Sequence, residues 1–240
     1  NNMLHSEIII NIDDVLQSSV KILNIDEAMA YYEVRSEYSK QLGQSLANEE
    51  DRNLMQLMCL AGRTNGSQAD IKGGSQLSAA GADTDGQTLA DMIFNARQIM
   101  KEKDVPYNKG EWAFFTTPAM YSLLAMTKDI INKDWGGAGV YADGTVLRIA
   151  GFDIVETNHI PTTNITQKTG TNNAYHGDFT NTLGVCVSKG AVGTVRLKDL
   201  TVEMTTGDYN IENQAVLIVA KYLQGHGILE PRRAVELLKA

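Results

Sequence analysis

The sequence predicts an α+β protein organised around one helix too long for a compact globule. Three observations carry that expectation. A helical apolar periodicity persists over residues 26–63, short strand-like runs with turn signals fill the second half, and no segment repeats. The chain has 240 residues, enough for one large domain or two small ones with a buried core.

Taken in order, residues 7–13, EIIINID, read as a first strand. Asp26 then caps a helix whose apolar or aromatic positions are Tyr31, Val34, Tyr38, Leu42, Leu46, Leu54, Leu57 and Ala61. Their spacing of three, four or eight keeps them on one face. Gly43 weakens the helix mildly, and Gly62 before Thr64, Asn65 and Gly66 ends it. About 37 helical residues span roughly 55 Å, whereas a chain of this length folded compactly has a radius of gyration of about 18 Å, or about 45 Å across. Either the molecule is flat and elongated, or the helix packs against neighbouring chains.

Residues 63–84 are rich in Gly, Ser, Ala and Asp and lack periodicity, so they read as a loop. A second helix follows over 88–103, with Thr88 and Asp91 as a capping box, Leu89, Met92, Ile93, Ala96, Ile99 and Met100 as its stripe, and Pro106 closing it. Residues 112–116 read as a strand, and Thr117 with Pro118 as the cap and first residue of a short helix. Asp143-Gly144 signals a hairpin turn leading into a strand pair broken at Gly151. Residues 161–178 form a polar Thr/Asn loop with little to bury. Residues 183–187, 194–204 and 214–224 are strands, and the chain ends in EPRRAVELLK.

Composition excludes several function classes. With 21 basic against 29 acidic residues the net charge is -8, and no basic cluster exists, so specific nucleic-acid binding is not expected. The longest apolar run, residues 215–220, is far short of a membrane-spanning helix, so no membrane partner is expected. Cys59 and Cys186 sit inside apolar stretches where reduced, core-filling thiols are the usual occupants.

Catalytic and binding motifs fail one by one. Asp83-Thr84-Asp85-Gly86 hints at a calcium loop, but its twelfth position is Phe94 where a bidentate Glu is required. Gly136-Gly137-Ala138-Gly139 has no preceding strand and no P-loop Lys. His5, His159, His176 and His226 lack metal-ligand spacing and read as surface or strand-end residues. Neither Ser122 nor Ser188 lies in a nucleophile elbow. Tyr31, Tyr32 and Tyr38 suit core or interface packing better than a stacking platform, and Asn164 heads a glycosylation triplet without context. No catalytic, cofactor-binding or metal-ligating residue is assigned, no cofactor is expected, and the chain is not read as an enzyme.

Three stretches carry a specific likeness: IDEAMAYYEVRSEYSKQLGQSLA, SKGAVGTVRLKDLTVE and AKYLQGHGILEPRRA. They resemble the major capsid protein of short-tailed phages of the autographivirus type, which has the Hong Kong 97 capsid fold. AFFTTPAMYSLLAM and LRIAGFDIVETNHIP are similar to the segments between them, and the likeness covers nearly the whole chain. It implies a spine helix at 26–63. It also implies a peripheral domain of residues 1–105 and 191–222, and an axial domain of residues 106–190 and 223–240. The implied function is self-assembly, as hexamers and pentamers, into the icosahedral shell enclosing a double-stranded DNA genome. Scaffolding and portal proteins are implied partners during assembly in the bacterial cytoplasm, with a decoration protein as a further one.

Against this pattern the chain reads as truncated, with only residues 7–13 left of an extended hairpin. Two competing readings stand beside it: a ligand- or receptor-binding virion module using the loop at 161–178, and an α/β enzyme with an unrecognised site. Shell formation separates both from the capsid reading.

Overall fold

The computed structural model describes residues 7–29, 34–66, 72–127 and 148–240. Its spine is α2 (Val34–Arg63), 30 residues and so about 45 Å long, preceded by a short helix α1 (Asn24–Met29). Asp26 therefore lies inside α1 rather than capping the spine, and Tyr31 falls outside the described residues. The expected strand at 7–13 is instead an irregular segment, and the first strand, β1 (Leu16–Leu23), comes later. The reason is visible in its hydrogen bonds: the backbone at Asn11 pairs with the side chain of Asn173, not with another strand.

The loop expected at 63–84 contains a strand, β2 (Ser75–Ala79), whose SQLSA sequence has too few apolar positions to show a period. After it comes α3 (Gly86–Glu102), which starts two residues earlier than expected because Asp85, not Thr88, is its cap. The Asp85 carboxylate accepts from the backbone N–H groups of Gln87 and Thr88, both at 3.2 Å. The acidic cluster that hints at calcium is thus a helix start. Strand β3 (Trp112–Thr116) and helix α4 (Pro118–Met126) fall where the sequence places them. So does the hairpin of β4 (Arg148–Ile149) and β5 (Phe152–Glu156), which turns at Ala150 and Gly151. The expected Asp143-Gly144 turn and the Gly136–139 run lie outside the described residues.

The remaining elements are β6 (Asn164–Ile165), β7 (Gly177–Asp178), β8 (Thr182–Ser188), β9 (Val192–Met204), a short helix α5 (Asp208–Asn213), β10 (Ala215–Ile228) and β11 (Ala234–Lys239). They build two main sheets. One is six-stranded and mixed, in the order β2-β11-β8-β3-β5-β4; the other is three-stranded and antiparallel, in the order β1-β10-β9. The minor pair β6-β7 stands apart.

Each sheet has its own core, and α2 joins them. Helix α3 packs Leu89, Ile93, Ala96 and Met100 against Trp112, Phe114, Cys186, Val235 and Leu237 of the six-stranded sheet. The last turns of α2 pack Cys59 and Ala61 against Phe179, Val185 and Val187 at the same sheet. Nearer its start, α2 lays Leu42 and Leu46 over Ile218, Ala220 and Tyr222 of β10, with Ile22 of β1 beside them. The predicted stripe is real at Leu42, Leu46, Leu57 and Ala61, whereas Tyr38 is exposed.

Candidate functional site

Among the described residues no three His, Cys, Asp or Glu side chains come together as a metal site. No helix there is long and apolar enough to cross a membrane. Cys59 and Cys186 are fully buried free thiols whose pKa values burial pushes up, which makes them unreactive core residues. Ser188 is buried and Ser122 exposed. His226 departs from the expectation of a surface histidine: it is buried in β10, with Nδ1 2.8 Å from Thr194 Oγ1. Burial holds its pKa below the usual histidine value, against opposing pulls from Glu50 and Asp13. His159 is partly buried and His176 exposed; His5 lies outside the described residues.

What the described residues do present is a buried anchorage and an exposed surface. The anchorage lies at the C-terminal end of α2. Arg63 Nε and Nη2 donate to the two carboxylate oxygens of Glu236 on β11 at 2.7 and 2.6 Å, a bidentate pair. The Glu236 side chain is fully buried, and Gln76 of β2 and Thr182 of β8 complete its shell at 2.9 and 2.7 Å. Arg63 also donates to the Asp178 carbonyl at 2.6 Å and lies over the Phe179 ring. The hydrogen bond to Glu236 raises the guanidinium pKa, so Arg63 keeps its positive charge. In the sequence Arg63 is legible only as the end of the long helix. A lone Glu in the apolar run AVELL was the one available signal that a buried partner existed.

The surface lies at the other end. Strand β9 is an edge strand among the described residues, thirteen residues long and almost wholly exposed. It carries two extra residues relative to β10 between Thr201 and Arg196, so its register shifts. Beyond the shift, Val202 faces Ala220 and Met204 faces Ile218, which puts both on the helix side of the sheet. Yet Leu200, Val202 and Met204 remain 53%, 53% and 56% exposed, because α2 covers β10 and stops short of β9. Between helix and strand runs an open groove lined by Gly43, Leu46, Ala47, Leu200 and Tyr222, ending where Arg196 meets Glu50 at 3.7 Å. The sequence offers a clue: apolar residues on both faces of a long strand ask for burial on both faces, and among the described residues neither face is covered.

The polar loop at 161–178 is more than an exposed connection. It clasps the N-terminal segment: the Asp13 carboxylate accepts from the backbone N–H of Asn172 at 2.6 Å and from the Tyr175 hydroxyl at 2.7 Å. Tyr175 is itself buried, and its hydroxyl accepts the His226 N–H at 3.0 Å. The segment crosses β10 at Gly225, where a Cβ atom would stand 1.9 Å from the Asn11 carbonyl oxygen. Ile8 and Ile9 project from this segment into solvent.

Known proteins are similar to this chain. A family model described as Gp10A-like, major capsid protein, matches residues 1–238. The chain is 31% identical to the major capsid protein of Enterobacteria phage T3, over 96% of this chain and 72% of that protein. It is 30% identical to the major capsid protein of Escherichia phage T7, over the same shares. A chain in the capsid structure of the cyanophage P-SCSP1u matches it with a TM-score of 0.90 at 37% identity, covering 100% of this chain and 78% of that one.

Proposed function

The chain belongs to the Gp10A-like family of major capsid proteins, and from that premise we propose that its copies assemble as hexamers and pentamers into an icosahedral shell around double-stranded DNA. As a major capsid protein it is a structural component of the phage virion. Its role is one of shape and contact, without turnover of a substrate. Scaffolding and portal proteins are its partners during assembly, and a decoration protein is a further one.

The observation that carries this reading is the division of labour along α2. A helix fixed to one sheet by a buried ion pair extends over a second sheet whose edge strand is left bare, which suits a subunit completed by its neighbours. The peripheral part of the subunit is then the three-stranded sheet with the first half of α2. The axial part is the six-stranded sheet; β2 and α3, which the resemblance assigned to the peripheral domain within residues 1–105, share the core of that sheet and are proposed to belong to the axial side. Negative charge favours release of the packaged genome from the shell wall rather than capture by it. Sedimentation and electron microscopy of the full-length expressed protein test the proposal. Closed shells or capsomers are expected, and a persistent monomer at assembly concentrations contradicts it.

A further inference from the structure

Asn65-Gly66 is the only Asn-Gly step in the chain, and it lies just beyond Arg63, where α2 ends. Glycine carries no Cβ, so its backbone nitrogen is the least shielded of any residue's. Asn65 is exposed, and neither its carboxamide nor the Gly66 N–H makes a hydrogen bond among the described residues. Other asparagines differ: Asn108, Asn172, Asn173, Asn210 and Asn213 each donate from the carboxamide. Nothing of that kind holds the Asn65 carboxamide away from the nitrogen that follows it.

The backbone around this step is by contrast tightly packed. The Gly74 N–H donates to the Thr64 carbonyl at 2.8 Å. A Cβ at Gly73 would stand 2.5 Å from the Gly66 nitrogen and 2.8 Å from the Asn65 carbonyl carbon, and one at Gly74 would stand 2.1 Å from the Ala61 carbonyl oxygen. Lys103 Nζ fixes the same pair from outside, donating to the Gly73 and Gly74 carbonyls at 2.6 and 2.7 Å. Residues 64–66 and 72–74 are thus laid backbone to backbone against the end of α2, with no space for an added atom.

We infer that Asn65 is a site of spontaneous deamidation, a covalent modification that loosens this join. The Gly66 backbone nitrogen gives up its proton and attacks Asn65 Cγ; the new N–C bond closes a succinimide as the bond from Cγ to the carboxamide nitrogen breaks and ammonia leaves. Water then opens the ring at either carbonyl, giving aspartate or isoaspartate, so the balance is one water consumed and one ammonia released, with no redox change. Both products place a carboxylate beyond the C-terminus of α2, where the helix dipole disfavours it. Isoaspartate also lengthens the main chain by one carbon beside Gly73, which has no room for it. The reaction needs only the subunit, so it stands or falls apart from shell assembly.

Incubation of the full-length protein in mildly alkaline buffer, followed by peptide mapping with mass spectrometry, tests it. Asn65 should convert at least tenfold faster than any other asparagine, faster as pH rises, and with isoaspartate among the products. Gly66→Ala, which shields the attacking nitrogen, should slow the conversion at least tenfold. Aged parent subunits should melt below fresh ones, whereas Asn65→Gln subunits aged alike should not. Asn65→Asp, which adds the charge without the extra carbon, should lower the melting temperature by about 1–3 °C. An Asn65 that stays intact while an unstructured peptide of the same sequence converts overturns the site. Aspartate without isoaspartate overturns the succinimide route. Equal melting of aged and fresh parent, or an equal loss in Asn65→Gln, overturns the loosening, and if Gly66→Ala does not fold, the product analysis and the Asn65→Gln comparison decide.

Discussion

The two ends of α2 are built from the same helix and treated in opposite ways. Toward its C-terminus Leu57, Cys59 and Ala61 are buried, and Arg63 is fixed to a carboxylate with no solvent exposure. Toward its start Leu42 and Leu46 are the buried apolar side chains among the described residues, the stretch around Gly43 and Ala47 opens on a groove, and the strand alongside is bare. The difference teaches where each property of the subunit resides. On the proposed function, folding is decided where α2 meets the six-stranded sheet, and assembly where it overhangs the three-stranded one. A subunit cannot complete both ends and still need neighbours.

The sharpest way to break this contrast is at the anchored end. Arg63→Met leaves the Glu236 carboxylate buried and unpaired, and should destabilise the unassembled subunit by about 3 kcal/mol. That is the low end for breaking a buried pair, since Arg63 keeps an edge in solvent. Denaturant unfolding would measure it, and replacing Glu236→Leu as well should recover most of the loss. A negligible effect of Arg63→Met would mean that the pair does not anchor the helix.

At the overhanging end the same kind of damage should matter less. Leu42→Ala removes side-chain bulk from a small cluster open at one side, so a loss of about 2 kcal/mol is expected, against about 3–5 kcal/mol for Leu237→Ala in the closed core. Equal losses would erase the distinction between the two ends.

Acid should weaken the join between β10 and the clasped N-terminal segment. His226 is held neutral by burial, with its pKa below that of the unfolded chain, and Asp13, Glu50, Arg196 and Tyr175 are the ionisable groups around it. The unfolded state therefore binds more protons as pH falls through about 6.5, and stability rises with pH across that window and is lost below it. Melting temperatures between pH 7.5 and 5 should decline more steeply for the parent than for His226→Gln. Parallel curves would remove His226 from the account.

The smallest expected effect on folding is Lys40→Glu. Lys40 is exposed and 3.9 Å from Glu37, so reversal should change subunit stability by less than about 0.5 kcal/mol. Shell yield, measured in parallel, should fall if this face of α2 also meets a neighbour; normal yield assigns it to solvent.

Much of this fold was legible in the residues, and the reasons are local. Trp112–Thr116 alternates cleanly, Thr117-Pro118 marks a helix start, and the stripe through Leu42 and Leu46 has helical spacing. What stayed hidden depends on distant partners. Strand β2 exists because β11 pairs with it in parallel, and SQLSA alone carries no such instruction. Residues 7–13 look like a strand because Ile8, Ile9 and Ile10 favour one, but Asn173 and Asp13 take their hydrogen bonds into a clasp. At the candidate site, the length of the helix pointed to neighbouring chains. The bare helix-side face of β9 could be recognised only once α2 was seen to stop short of it.

Hydrogen exchange measured on unassembled subunits and on assembled shells tests the division of α2 most directly. The account predicts that amides of β9 and of α2 around Gly43 gain protection on assembly, while those of β8 and β11 are equally protected in both states. Unchanged exchange in β9, or protection of β8 and β11 that appears only in shells, would contradict it.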